Sequence, residues 1–147
     1  MESQTLDMAA VSVGASPAAL AVSILKGARE LIAKPGGRTR GTLARNAAGE
    51  SLGGLGPGNP DACSFCAVGA IRRKVYETPL SRMNRTDAER VAFGALCRVI
   101  AGSEPSTTSR AIFEIEGFND INARGVDDVL SQFDRAIELI EQGEVSA

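Results

Sequence analysis

The chain's 147 residues, 44% of them hydrophobic and 23% charged, suffice for one compact domain with a single core and are too few for two ordinary ones. Histidine and tryptophan are absent and the aromatics are five Phe and one Tyr, which excludes a Ser-His-Asp triad, a Cys-His pair and any His-ligated metal. The formal charge of −2 is unevenly spread: residues 1–100 carry 13 Lys/Arg against 8 Asp/Glu, a net of +5, and residues 101–147 carry 3 against 10, a net of −7. This asymmetry bears on partners rather than on fold. Either helix surfaces of opposite sign pair with one another, or a basic face takes a phosphate-rich or acidic ligand. A weakly acidic chain so poor in aromatics does not suit nucleic acid, which calls for a basic domain with stacking side chains.

Residues 1–15 have no hydrophobic period and read as a flexible N-terminal arm, with residues 16–147 as a single helical domain. No basic stretch precedes an apolar one at the start of the chain. The longest apolar run, Ala18 to Leu25 interrupted by Ser23, is far short of the roughly 20 residues of a membrane span. These features predict a cytoplasmic protein without membrane partners. Ser16-Pro17 is a helix N-cap followed by a first-turn proline, and Leu20, Ala21, Ile24, Leu25, Ala28, Leu31 and Ile32 follow at helical spacing until Pro35-Gly36-Gly37.

Residues 36–58 are glycine-rich and lack Leu/Ile/Val periodicity. Within this insert, Thr42–Arg45 and Glu50–Leu52 flank Asn46-Ala47-Ala48-Gly49, and the segment either closes a small β-hairpin or forms an irregular loop. Asn59-Pro60 repeats the cap-plus-proline signal and predicts a helix with Cys63, Cys66, Ala67, Ala70 and Ile71 on one apolar stripe and Arg72-Arg73-Lys74 in its last turn. After Pro79, Asn84 or Thr86 caps a helix bearing Val91, Ala92, Ala95, Leu96, Val99 and Ile100, stopped by Gly102. Residues 103–109 read as a linker. Ala111-Ile112-Phe113 with Ile115 is a short apolar stretch, and Gly117-Phe118-Asn119-Asp120 a turn. The final helix starts near Gly125, places Asp127 and Asp128 in its first turn, buries Val129, Leu130, Phe133, Ala136, Ile137 and Ile140, and ends at Gly143. The expected fold is mainly α: a small bundle of four to five helices with a Gly-rich insert. Its 22 alanines favour helices in close approach.

Three segments carry candidate chemistry. Cys63-Ser64-Phe65-Cys66 places two thiols near a helix start, where backbone N–H groups favour a thiolate, so Cys63 and Cys66 are redox candidates. No strand of a βαβ unit precedes them, and as members of an apolar stripe they serve equally as small hydrophobes. With Cys97 they make only three ligands, one short of a structural zinc site, and no metal or cofactor is expected. In the loop from Gly36 to Thr42, glycines free backbone N–H groups while Arg38, Thr39, Arg40 and, further on, Arg45 supply guanidinium and hydroxyl donors for an anion. The spacing is not that of a P-loop, and a solvated surface loop would carry the same residues. Asn119 and Asp120 either satisfy a turn's own backbone or act as polar partners of a ligand held by that loop. No pair of carboxylates is spaced for acid–base work, and no catalytic residue is expected.

Three patterns, Gly41-Thr42-Leu43-Ala44-Arg45-Asn46 through Gly49, Cys63 through Cys66 to Gly69-Ala70-Ile71, and Phe118-Asn119-Asp120 before Asp128-Val129, resemble those of an uncharacterised domain family of actinobacteria and their phages over about residues 24–140. The resemblance departs at Arg38, where relatives are expected to carry an aromatic, and at Phe118, where many are expected to carry Trp. It implies a fold and a setting but no reaction. The functional expectation is a non-enzymatic binding or regulatory protein, a phage or mobile-element accessory factor that contacts a host protein or sequesters an anionic small molecule, with a homodimer as one allowed assembly. The alternative is a thiol-dependent redox module using Cys63 or Cys66.

Overall fold

A computed structural model describes residues 15–53 and 55–143; the N-terminal arm expected over 1–15 lies, but for Ala15, outside the described residues. Five α-helices carry the fold among the described residues: α1 (Pro17–Ala33), α2 (Ala67–Glu77), α3 (Arg82–Ala101), α4 (Thr108–Gly117) and α5 (Val126–Glu141). A two-residue strand pair, β1 (Ala44–Arg45) and β2 (Ser64–Phe65), precedes α2. The architecture is the mainly α bundle expected from the alanine-rich helical stripes.

Helix α1 begins as its sequence dictates. The Ser16 hydroxyl accepts from Ala19 N at 3.1 Å, and Pro17 occupies the first turn, where its missing N–H has no intrahelical role. Leu20, Ala21, Ile24, Leu25, Ala28 and Ile32 are buried, and this face packs against α2, α3 and α5. Phe93 and Leu96 of α3 and Phe133 of α5 complete the centre of the core, each almost wholly removed from water. The unequal charge of the two halves of the chain is partly compensated inside the molecule. Arg29 of α1 forms a two-pronged pair with Asp134 of α5, and Lys26 reaches Glu141 at 3.5 Å.

The Gly-rich insert decides where α2 starts, and here the structure departs from the cap signal at Asn59-Pro60. Asn59 caps only a turn, its side-chain oxygen accepting from Asp61 N at 2.8 Å. Beyond it the chain is drawn into extended hydrogen bonding by the insert. Cys63 N donates to Arg45 O (2.9 Å), Phe65 N to Gly37 O (2.8 Å) and Thr39 N to Phe65 O (2.9 Å), while β1 and β2 pair antiparallel with Ala44 opposite Phe65. Helix α2 therefore opens at Ala67, with Cys66 as its N-cap. Long-range backbone pairing outweighed a local cap worth about 1 kcal/mol. Between the two readings of this segment, hairpin or irregular loop, the structure has a single antiparallel bridge, Arg45 with Ser51, closed by Asn46 N donating to Glu50 O at 3.0 Å.

Two further starts shift for local reasons. Ser81, not Asn84 or Thr86, caps α3: its hydroxyl accepts from Asn84 N at 3.2 Å, and it is the first capping side chain after Pro79. Thr107 caps α4, so the stretch from Ala111 to Ile115 is helical, burying Ala111 and Ile115, and residues 108 and 109 of the expected linker belong to that helix. The expected turn after Gly117 instead continues the helix as one wider π-helical turn, Phe118–Asn122, in which Ala123 N donates to Phe118 O at 2.8 Å. Helix α5 keeps its expected limits. Its predicted core side chains are buried apart from Leu130, which is half-buried.

Candidate functional site

The insert and the π-helical turn meet around Asn119. This side chain is fully buried, and its carboxamide is the hub of the junction. Its oxygen accepts from Ala67 N at 3.3 Å, the first residue of α2, and its nitrogen donates to Thr39 O at 3.1 Å and to an Asp120 carboxylate oxygen at 2.8 Å. Asn119 follows the buried Ala111 and Ile115 of α4 at four-residue spacing, so continuation of the helical path through Gly117 places this polar residue on the inward face. Arg38 donates from Nη2 to the Asn119 carbonyl, while its Nε is buried without a protein partner. Burial lowers the Arg38 pKa from its usual value and Arg40 adds to that, with Asp120 and Asp128 acting in the opposite direction.

Arg45 has a different position from the one its sequence suggests. Its guanidinium donates to Thr39 Oγ1 (2.7 Å), Gly49 O (3.1 Å) and Arg40 O (3.1 Å), so three of its N–H groups tie the insert to itself. Arg40 is exposed. The six predicted ligand-binding residues thus lie in one connected neighbourhood, but with unequal freedom: Arg45 and Asn119 are engaged by the backbone, and Arg40 and Asp120 retain open faces.

Beside this network lies a cleft of about 360 Å³ lined by Gly41, Thr42, Leu43, Cys66, Glu116 and Asp120, among others. All three segments singled out in the sequence contribute to its wall. Glu116 escaped the sequence reading. It lies four residues before Asp120, a spacing that puts the two side chains on one side only when the chain remains helical through Gly117, and the Gly-Phe-Asn-Asp pattern reads as a turn that would separate them.

The cysteines do not share one stripe as the sequence suggested. Cys63 is exposed before β2, Cys66 and Cys97 are buried, and all three are free. Cys66 Sγ accepts from Gly69 N at 3.3 Å, and burial pushes its thiol up to about 11, with that N–H opposing the shift and Asp120 and Glu116 reinforcing it. Burial likewise raises Cys97. A protonated thiol attacks a disulfide poorly. Iodoacetamide at about pH 8 should therefore modify only Cys63 in the native protein and all three thiols in denaturant, read as intact mass; native modification of Cys66 would contradict this. Because the folded Cys66 value lies above the unfolded one, the fold holds this proton more tightly. Its contribution to stability is complete below about pH 9 and is lost as pH rises towards 11.

No helix among the described residues is long and apolar enough to cross a membrane. The described residues form a small mainly α fold with a cleft between the Gly-rich insert and the end of α4. The chain belongs to the DUF6197 family, a family of unknown function, whose model matches residues 16–139. No curated protein and no solved structure matches it.

Proposed function

We propose that the protein is a non-enzymatic binding protein whose ligand sits at the junction of the Gly–Arg insert and the Asn119–Asp120 turn. The observation that carries this reading is the shared network through Arg38, Thr39 and Asn119 beside a cleft of about 360 Å³. Its fixed hydrogen bonds hold the wall in one geometry, so little ordering is required when a ligand enters. Arg38 and Arg40 lie outside the lining of the cleft, on the insert beside its Gly41–Leu43 wall, where the exposed Arg40 and the remaining donors of Arg38 suit an anionic group of a ligand that extends over the insert. Asp120 and Glu116 suit a hydrogen-bond donor or cationic group on the same small molecule. Such a protein acts in the cytoplasm by sequestering its ligand, and an accessory role in a phage or mobile element, directed at a host factor, fits this mode of action.

Native mass spectrometry of protein purified from its host tests the reading. The expected result is a small-molecule adduct that denaturation releases, that the Arg38→Ala, Arg40→Ala double variant lacks, and that a Cys63→Ser variant keeps. An adduct unchanged in the arginine variant would remove the site assignment, and the absence of any adduct would remove small-ligand binding.

A further inference from the structure

On the far side of the insert a second groove of about 530 Å³ runs between the Gly56–Gly58 turn, the C-terminal half of α2 and the first turns of α3. It is preformed. Arg73 Nη1 donates to Pro57 O (3.0 Å) and Asn59 O (2.7 Å) and pins the turn to α2. The Tyr76 ring lies against Gly58, where a Cβ would come within 3.0 Å of it. Apolar surface lines the groove and remains open: Leu55 is 90% exposed and Tyr76 69%, beside Leu52 and the buried Pro57. Single exposed apolar residues are ordinary; here Leu52, Leu55, Pro57 and Tyr76 converge to give the groove an apolar floor.

Its charges specify the occupant. Lys26, Arg29, Arg73, Lys74, Arg98 and Arg110 each lie within 4 Å of a carboxylate. Arg72 and Arg85, which face the groove, form no ion pair among the described residues, and Glu89 is the one carboxylate among the lining side chains. Two unpaired guanidiniums above an apolar floor complement a segment that carries carboxylates around an apolar side chain, and Arg and Tyr are the residue types that anchor such contacts. We propose that this groove docks an acidic, apolar-anchored segment of a protein partner. The proposal is independent of the ligand cleft.

The test uses the full chain and fluorescence anisotropy with a fluorescein-labelled peptide in which Leu and Phe, one helical turn apart, are flanked by Glu, and with its Gln counterpart. The Glu peptide should bind at least about tenfold more tightly than the Gln peptide. The Arg72→Glu, Arg85→Glu double variant should lose that preference, and Tyr76→Ala should weaken both peptides by about tenfold. The two arginines are exposed, so the melting temperature of the double variant should match that of the unsubstituted chain. Equal binding of both peptides, or binding of neither, overturns the proposal. Sedimentation showing a dimer that the double variant dissociates overturns it in favour of a second copy. An affinity gain of about tenfold on deleting residues 1–14 overturns it in favour of the chain's own N-terminal segment.

Discussion

Gly69→Ala should destabilise the protein by about 3 kcal/mol or more and lower its melting temperature by about 10 °C. Gly69 sits in the first turn of α2 with its α-carbon pressed against the insert: a methyl there would lie 1.9 Å from Leu43 O and 2.8 Å from Leu43 C. Neither atom belongs to a flexible side chain. Leu43 O is moreover held in place as the acceptor for Cys66 N at 3.2 Å, so relief of the clash must separate helix from insert. Helix propensity alone predicts the opposite sign, a gain of about 1 kcal/mol for alanine over glycine. Gly94, inside α3, is the control, because a methyl there meets nothing within 4 Å. Gly94→Ala should stabilise by about 0.5–1 kcal/mol. Thermal or urea unfolding of the two variants separates the effects, and a neutral Gly69→Ala would show that α2 and the insert do not approach so closely.

Asn119→Ala should cost about 3 kcal/mol. It removes the acceptor of Ala67 N and the donor to Thr39 O in a wholly buried position, and each stranded backbone group carries a desolvation penalty of roughly 1–3 kcal/mol. Arg38 keeps its partner, which is the Asn119 backbone carbonyl, so the loss reports the carboxamide rather than the arginine. Asn119→Asp sharpens the test. Its carboxylate could still accept from Ala67 N but would face Thr39 O and Asp120 with the wrong charge, so its folded pKa should be raised. A raised carboxyl pKa favours the fold at low pH, and stability is lost as pH rises through the folded value. The Asn119→Asp protein should therefore melt at a higher temperature near about pH 5 than near about pH 7. The same melting temperature at both would show that position 119 is not enclosed as described.

Helices α1, α3 and α5 were legible in the sequence because their signals are local and redundant. Ser16-Pro17, the buried positions at helical spacing and the stops at Gly102 and Gly143 all agree. The meeting of the Gly–Arg insert with the Asn-Asp turn was also legible, as a juxtaposition of a basic and an acidic segment. Its chemistry was only partly so. Arg45 reads as a free anion donor until the insert folds and its guanidinium finds Thr39, Gly49 and Arg40 within reach. Glu116 could not be placed beside the cleft while Gly117 read as a helix stop.

Composition and periodicity by themselves determined the fold class, the positions of the long helices, and the exclusion of histidine chemistry, since each follows from residue type and short-range spacing. Tertiary structure alone decided the start of α2, the exposure of Cys63 beside a buried Cys66, and the need for glycine at position 69. Those outcomes depend on backbone groups of the insert pairing with residues far along the chain, as in Ala44 with Phe65, Cys63 with Arg45 and Gly37 with Phe65. Such pairings satisfy buried N–H and C=O groups and override a local cap, and no pattern within a few residues of either partner encodes them.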